Sequence, residues 1–229
     1  MFTLALECAT NTVGLALLDE DDCVAEIYLN LARHHAEVLL PSLDHLLHIS
    51  GIIVENIGLI ACTVGPGSFT GLRIGVSTVK GLATALDKPV VGVSTLEALA
   101  MNAIPSQKLI CAVLDARKNQ IYGGLYRTGP DSFPKAVRPD ALMDMNAFLE
   151  EVKGEESLFL GDGAIRHERL IREAMQERAT LGGMGQCHLR ASAVGLFGLH
   201  RYRTEGALDT VTFAPRYLRR SEAELRAGS

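Results

Sequence analysis

Residues 2–31 alternate between apolar runs and short polar breaks: FTLALE, then ATNT, VGLALLD, EDD and CVAEIYLNL. Runs of this length separated by turn residues predict a three-stranded antiparallel meander over Phe2–Glu7, Val13–Asp19 and Cys23–Leu31. From Ala36 the period changes. Leu39, Leu40, Leu43, Leu46 and Leu47 recur at helical spacing, and Gly51 stands where that helix would stop. Pro41 lies inside it, removing a backbone donor and disfavouring helical geometry at Leu40, so a kink or a start nearer the proline is expected. Ile57–Val64 reads as a buried strand, Gly71–Leu86 as a second helix and Pro89–Ser94 as another strand.

The second half opens in the same way, with Leu109–Asp115, the turn ARKN and Ile121–Arg127 forming a hairpin that can be laid on the first. Glu7 and Asp115 each close the opening strand, Asn11 and Asn119 follow four residues later, and Val13 and Ile121 start the return strands. The match is short, and chance competes with duplication. A real duplication predicts two related β-meander/α lobes, 1–105 and 106–229, facing each other across a cleft with Glu7 and Asp115 at its mouth, and the last segment packing back on the first lobe. Residues 128–157 read as a loop and helix insertion. Leu158–Leu160 is a strand running into GDGA at 161–164, which opens a helix through Leu170. A last helix over Ser192–Tyr202 precedes the strand-like FAPRYLR at 213–219.

Composition narrows the class. Hydrophobic residues make up 48% of 229, with no Trp and only 5% aromatic, so the cores must be built from Leu, Val, Ile and Ala. No apolar run reaches the roughly 18 residues of a membrane span, and MFTLALECATN lacks the basic start and long apolar middle of an export signal. Five cysteines, widely spaced and with no C-x-x-C, read as reduced, mostly buried thiols in a cytoplasmic protein. A net charge of −5 gives no overall drive toward nucleic acid.

The stretch TVGPGSFTGLRIG, residues 63–75, is the first candidate for chemistry. It fails the Walker A pattern, the dinucleotide fingerprint at Thr70, and the nucleophile elbow, because its serine comes one place early. What remains is a strand-to-helix turn in which Gly65 and Gly67 allow positive φ, Pro66 stiffens the bend and Ser68 or Thr70 caps the helix. Gly71 and Gly75 share one face of that helix, beside the apolar stripe Leu72, Val76, Val79, Ala83 and Leu86. Either the stripe packs under its own sheet, or the helix also serves a partner. The second alternative draws a partner face of Leu39, Leu43, Leu46, Phe69, Gly71, Leu72, Gly75, Val76 and Val79.

VGPGSFTGLRIGVSTVKGLATAL, with HHAEVLLPSLDHLL before it and KPVVGVSTLEALA and LDARKNQIY after it, resembles the TsaB (YeaZ) family of tRNA threonylcarbamoyladenosine synthesis. The similarity runs from Leu4 to about Tyr126 and resumes at GDGA and PRYLR, the 65–81 block and the DAR at 115–117 being its most specific parts. The resemblance implies an α/β, two-lobed, actin-like, Hsp70-like and sugar-kinase-like (ribonuclease H-like) fold. It implies a non-catalytic subunit that supports a TsaD-like catalytic paralogue and cooperates with a TsaE-like ATPase. The paralogue transfers threonylcarbamoyl to the adenosine next to the anticodon, and tRNA is met only through the complex. Whether the chain forms a homodimer when alone is left open, and no membrane partner is expected.

In the catalytic paralogue the segment after the Pro-Val-Val strand carries H-x-x-x-H, whose imidazoles hold a metal. Here those positions fall on Thr95 and Leu99, so no metal site and no catalytic residue is expected. By the same resemblance Glu7, Asp115, Gly161, Asp162 and Gly163 are the candidate nucleotide-binding positions. The family's Asp-Thr-Ser is Glu7-Cys8-Ala9 here, removing two hydroxyls that could meet phosphate or magnesium. No tightly bound cofactor is expected, with ATP or ADP at the cleft or subunit junction left open. The rival readings are a sugar-kinase-type phosphotransferase and, ranked last, a metallopeptidase. His34 and His35 read as a solvated helix start, His45 and His48 as surface positions, and Arg201, Arg203, Arg216, Arg219 and Arg220 as a solvated cationic face near Glu222 and Glu224.

Overall fold

The computed structural model describes residues 1–31 and 34–219. The chain divides into two units, Met1–Ala98 with Leu189–Arg216, and Leu99–His188 with the residues from Tyr217 onward. The division falls ahead of the expected 105/106.

In the first unit β1 (Phe2–Glu7), β2 (Thr12–Asp19) and β3 (Asp22–Asn30) form the meander, followed by α1 (His35–Ser50), β4 (Ile57–Gly65), α2 (Phe69–Leu86) and β5 (Val90–Ser94). The sheet order is β3-β2-β1-β4-β5, with β1 antiparallel to β2 and parallel to β4. Helix α3 (Thr95–Met101) crosses the division. The second unit runs β6 (Leu109–Asp115), β7 (Gln120–Thr128), β8 (Pro134–Asp144), α4 (Met145–Val152), β9 (Ser157–Leu160), α5 (Asp162–Arg166), α6 (Glu168–Met175), β10 (Ala179–Leu181) and α7 (Met184–Cys187), and α8 (Ala191–Glu205) returns to the first unit. Its order, β8-β7-β6-β9-β10, repeats that of the first unit strand for strand, with the same antiparallel and parallel pairings. The duplication hinted at by two short hairpins therefore extends through both sheets.

The first sheet is buried on both faces, which is why β1, β2 and β4 read as unbroken apolar runs. One face carries Leu4, Leu6, Leu15 and Leu17 into a core with Leu39, Leu43 and Leu46 of α1 and Val76, Val79 and Ala83 of α2. On the other face α8 lies close, because small residues meet there. A Cβ at Gly198 would stand 2.5 Å from the Ala61 Cβ, and one at Gly195 would stand 3.2 Å from that of Ala5. In the second unit, Val113, Ile121, Leu125 and Phe159 of the sheet close a core with Phe148 of α4 and Ile171 of α6.

Pro41 sits inside α1 without ending it. Pro41 and Glu37, the residue whose carbonyl it leaves without a helical partner, are both exposed, where water can satisfy that group. Gly51 closes the helix at φ 68°.

Strand β8 occupies residues expected to be loop. It lies at the sheet edge, half-exposed and irregular in register, and Pro139 is tolerated there because an edge strand has no donor to lose on its open side. The helix expected from GDGA through Leu170 is two helices, α5 and α6, broken at His167. Residues 213–219 form no strand; Phe213 is buried and the Arg216 N–H donates to the Val64 carbonyl at 2.7 Å.

Candidate functional site

Each unit places an acidic residue at the end of its first strand and a glycine turn at the end of its fourth, and each turn lies on the acidic strand of its own unit. In the first unit the Glu7 carboxylate turns back on the hairpin it precedes. It accepts the N–H of Ala9 at 2.6 Å and of Thr10 at 3.0 Å, and the Thr63 hydroxyl at 3.3 Å. Burial pushes its pKa up to about 7, against the opposing pull of those hydrogen bonds. Glu7 is thus committed to holding the β1–β2 turn.

The glycine stretch that follows β4 rests directly on that turn. A Cβ at Gly67 would stand 2.2 Å from the Ala9 carbonyl oxygen, and one at Gly71 only 1.9 Å from that of Cys8. The Ser68 N–H donates to the Ala9 carbonyl at 2.7 Å, and the Ser68 hydroxyl caps α2 by accepting the Gly71 N–H at 3.2 Å. The loop's glycines serve backbone-to-backbone contact within the chain; the Ser68 N–H is spent on that contact and the Gly71 N–H on the helix cap.

This corrects the partner face drawn from sequence. Leu39, Leu43, Leu46, Leu72, Val76 and Val79 lie in the chain's own core, at most 5% exposed. Gly71 is pressed against Cys8, and a Cβ at Gly75 would meet the Cys8 Cβ at 3.2 Å and the Cys62 Sγ at 3.5 Å. The amphipathic stripe packs under its own sheet, as the plainer alternative had it. Of the nine residues only Phe69 reaches the surface, half-buried beneath the Arg73 guanidinium 4.0 Å from its ring. The sides of α1 and α2 turned from the sheet are different. Leu40 and Ile49 of α1 and Ile53 beyond it are more than half exposed. Ser77, Gly81 and Ala85, spaced four apart, form an exposed small-residue face on α2, and a Cβ at Gly81 would meet nothing within 4 Å.

In the second unit Asp115, Gly161, Asp162 and Gly163 come together. The Asp162 carboxylate accepts the Asp115 N–H at 3.0 Å, and burial raises its pKa. The Asp115 carboxylate accepts the Arg117 N–H at 2.9 Å and the Arg166 guanidinium at 3.1 Å. Gly161, at φ 100°, and Gly163 permit close contact with the backbone of 113–115. These carboxylates too are engaged internally.

Thr95 and Leu99 stand one turn apart on α3, both fully buried, and the Thr95 hydroxyl has no hydrogen-bond partner among the described residues. His35 is not solvated: it is buried with Nε2 3.1 Å from the Thr10 carbonyl, while His34 is exposed beside Glu37. The cationic tail is largely internal structure. Arg201 bridges the Gly92 carbonyl and Glu97, and Arg203 pairs with Glu20 and Asp21. Arg219 pins the β6–β7 turn; Arg220, Glu222 and Glu224 lie outside the described residues. Charge spacing alone does not reveal such partners.

The family model described as TsaD, tRNA N6-adenosine threonylcarbamoyltransferase, matches residues 25–226. The tRNA threonylcarbamoyladenosine biosynthesis protein TsaB of Bacillus subtilis is 34% identical, over 99% of this chain and 97% of its own. The chain belongs to the TsaB (YeaZ) family. The Escherichia coli TsaB is 35% identical over 68% of this chain and 69% of its own. YeaZ from Pseudomonas aeruginosa superposes with a TM-score of 0.78 at 29% identity, covering 95% of this chain and 99% of that one. The fold alone extends further, to the activator of 2-hydroxyisocaproyl-CoA dehydratase from Clostridium difficile, with a TM-score of 0.55 at 11% identity, covering 89% and 96%. As a TsaB-family protein, the chain has a role in tRNA threonylcarbamoyladenosine biosynthesis.

Proposed function

We propose that this chain is the cytoplasmic, non-catalytic subunit of the threonylcarbamoyladenosine machinery, supporting a TsaD-like paralogue that carries out the transfer to tRNA. The observation that carries this reading is the pair Thr95 and Leu99. Where the resemblance expects two metal-holding imidazoles, this chain has a buried hydroxyl and an alkyl group, neither able to replace them. The paralogue docks on the outer sides of α1 and α2, where exposed Leu40 and Ile49 offer apolar anchors and Ser77, Gly81 and Ala85 allow another helix to approach. A TsaE-like ATPase joins the assembled pair. Nucleotide is held by the assembly rather than by Glu7 or Asp115, whose oxygens are engaged within the chain.

The test is reconstitution with the TsaD-like protein of the same organism. Sedimentation should show a heteromeric complex, and threonylcarbamoyl transfer to tRNA should need the paralogue and be absent with this chain alone. Transfer by this chain without the paralogue, or failure of the two to associate, would overturn the reading.

A further inference from the structure

The turn between β1 and β2 is the point to which the starts of both α1 and α2 are tied. The Ala9 carbonyl accepts the N–H of Ser68, the N-cap of α2, at 2.7 Å. The Thr10 carbonyl lies 3.1 Å from Nε2 of buried His35, the first residue of α1. The same two turn residues give their N–H groups to Glu7, Ala9 to Oε2 at 2.6 Å and Thr10 to Oε1 at 3.0 Å, and the Thr63 hydroxyl donates to Oε2 at 3.3 Å. Ala9 and Thr10 thus each join the carboxylate, through the N–H, to a helix start, through the carbonyl. All three donors need an acceptor. A carboxylate satisfies them together, whereas a proton on Oε1 displaces the Thr10 N–H and one on Oε2 competes with Ala9 and Thr63. The titratable and charged groups on the surrounding elements are Cys8 after β1, Cys62 of β4, Tyr28 of β3 with the Arg190 guanidinium 5.6 Å from its ring, and His35 of α1 beyond Thr10. Burial opposes the charge on Glu7 and the hydrogen bonds support it, which leaves its pKa at about 7.

We infer that Glu7 is a positioning residue through which protonation regulates docking of the paralogue: its carboxylate form fixes the starts of α1 and α2 together, and protonation loosens both. The inference rests on the function proposed above and adds a regulation to its docking face. That face begins at the tied ends. Phe69, which reaches the surface beneath Arg73, follows Ser68 directly, and exposed Leu40 lies in the second turn of α1. Further along, Leu43 and Leu46 of α1 and Val76, Val79 and Ala83 of α2 are held in the core, so loosening reaches the first turns and leaves the fold in place. A partner that needs both helix starts in one arrangement binds the carboxylate form better, and by linkage its binding lowers the proton affinity of Glu7.

The experiment measures association of the full chain with the TsaD-like paralogue by calorimetry between about pH 5.5 and pH 8.5, for wild type, E7Q and T63V. E7Q is neutral throughout. The ratio of wild-type to E7Q affinity should fall about 5-fold from the alkaline to the acid end, the low end of couplings between sites. Exposed His34, His45 and His48 of the α1 region are present in both proteins, so the ratio rather than either affinity is the readout. T63V removes a hydrogen bond that supports the charge and leaves Glu7 itself in place. It should move the midpoint of the wild-type affinity change to higher pH. A ratio constant across the range, with both proteins folded by circular dichroism and the complex formed, is what a merely structural role produces and would overturn this inference alone. Should E7Q fail to fold, T63V decides, and a midpoint that stays or moves to lower pH would overturn the inference. Failure of the wild-type pair to associate at any pH would overturn the functional reading and this inference with it.

Discussion

Glu7→Gln tests the Glu7 turn through its pH dependence. Glu7 is fully buried, and its pKa is raised from an ordinary 4.5 to about 7 because burial penalises the charged form. The groups coupled to it, Cys8, Cys62 and Tyr28, are thiols and a phenol, which carry no positive charge in either protonation state, so none compensates a carboxylate there. A folded-state pKa above the unfolded value gives stability that is fully present below about pH 4.5 and is lost as the pH rises through 7. At about 1.4 kcal/mol per pH unit, that displacement is worth about 3 kcal/mol. Glutamine removes the titration and keeps one acceptor, but its amide cannot accept where the second oxygen takes the Ala9 N–H, which costs about 1–2 kcal/mol. The variant should therefore be less stable than wild type at pH 5 and more stable at pH 8, with a crossing between. Urea unfolding followed by circular dichroism at four pH values between these limits reads the difference directly. Parallel stability curves for the two proteins would refute the argument, because they would mean that Glu7 holds the same protonation state folded and unfolded.

Two further predictions separate the inner and outer sides of α2. Gly71→Ala puts a methyl group 1.9 Å from the Cys8 carbonyl oxygen and should cost about 3 kcal/mol or prevent folding, whereas Gly75→Ala, at 3.2 Å from the Cys8 Cβ, should cost about 1 kcal/mol. Equal denaturation midpoints for the two would contradict that ranking. Gly81→Trp should leave the chain as stable as wild type, since nothing lies within 4 Å of its Cβ. It should nevertheless weaken association with the TsaD-like paralogue at least 10-fold, or about 1.4 kcal/mol, in sedimentation or calorimetry; undiminished association would move the partner face elsewhere.

The meander, α1, the strand before the glycine stretch and both hairpins were legible because each is a run of one hydrophobic period bounded by turn residues. Strand β8 was not, since an edge strand with one solvated side and irregular register carries neither a continuous apolar run nor a clean alternation. Helices α3 and α7 are too short for periodicity to emerge. The acidic positions Glu7 and Asp115 could be picked out as strand ends, but not their tasks. Whether a carboxylate faces a ligand or its own backbone depends on the turn that follows, and here both turns fold back onto the acid. The arginines of the tail were misread for a related reason: their partners, Glu97, Glu20, Asp21 and the Ala116 carbonyl, are about 100 residues or more away in sequence.

Glycines of α2 show how far the pattern could have gone. At about 100° per residue, Gly81 points about 170° from the centre of the stripe formed by Leu72, Val76, Val79 and Ala83, so its place on the outer side follows from the sequence. Gly71 and Thr84 each lie about 110° from that centre, on opposite flanks. By phase alone the two are equivalent, yet Gly71 is buried against Cys8 and Thr84 is exposed. What distinguishes them is the end of β1, which reaches the flank that carries Gly71 and leaves the other open. Helical periodicity fixes which side of a helix meets its own sheet. Which flank is also covered depends on a strand more than 60 residues earlier in the chain, and the face left for a partner is what remains after both have been assigned.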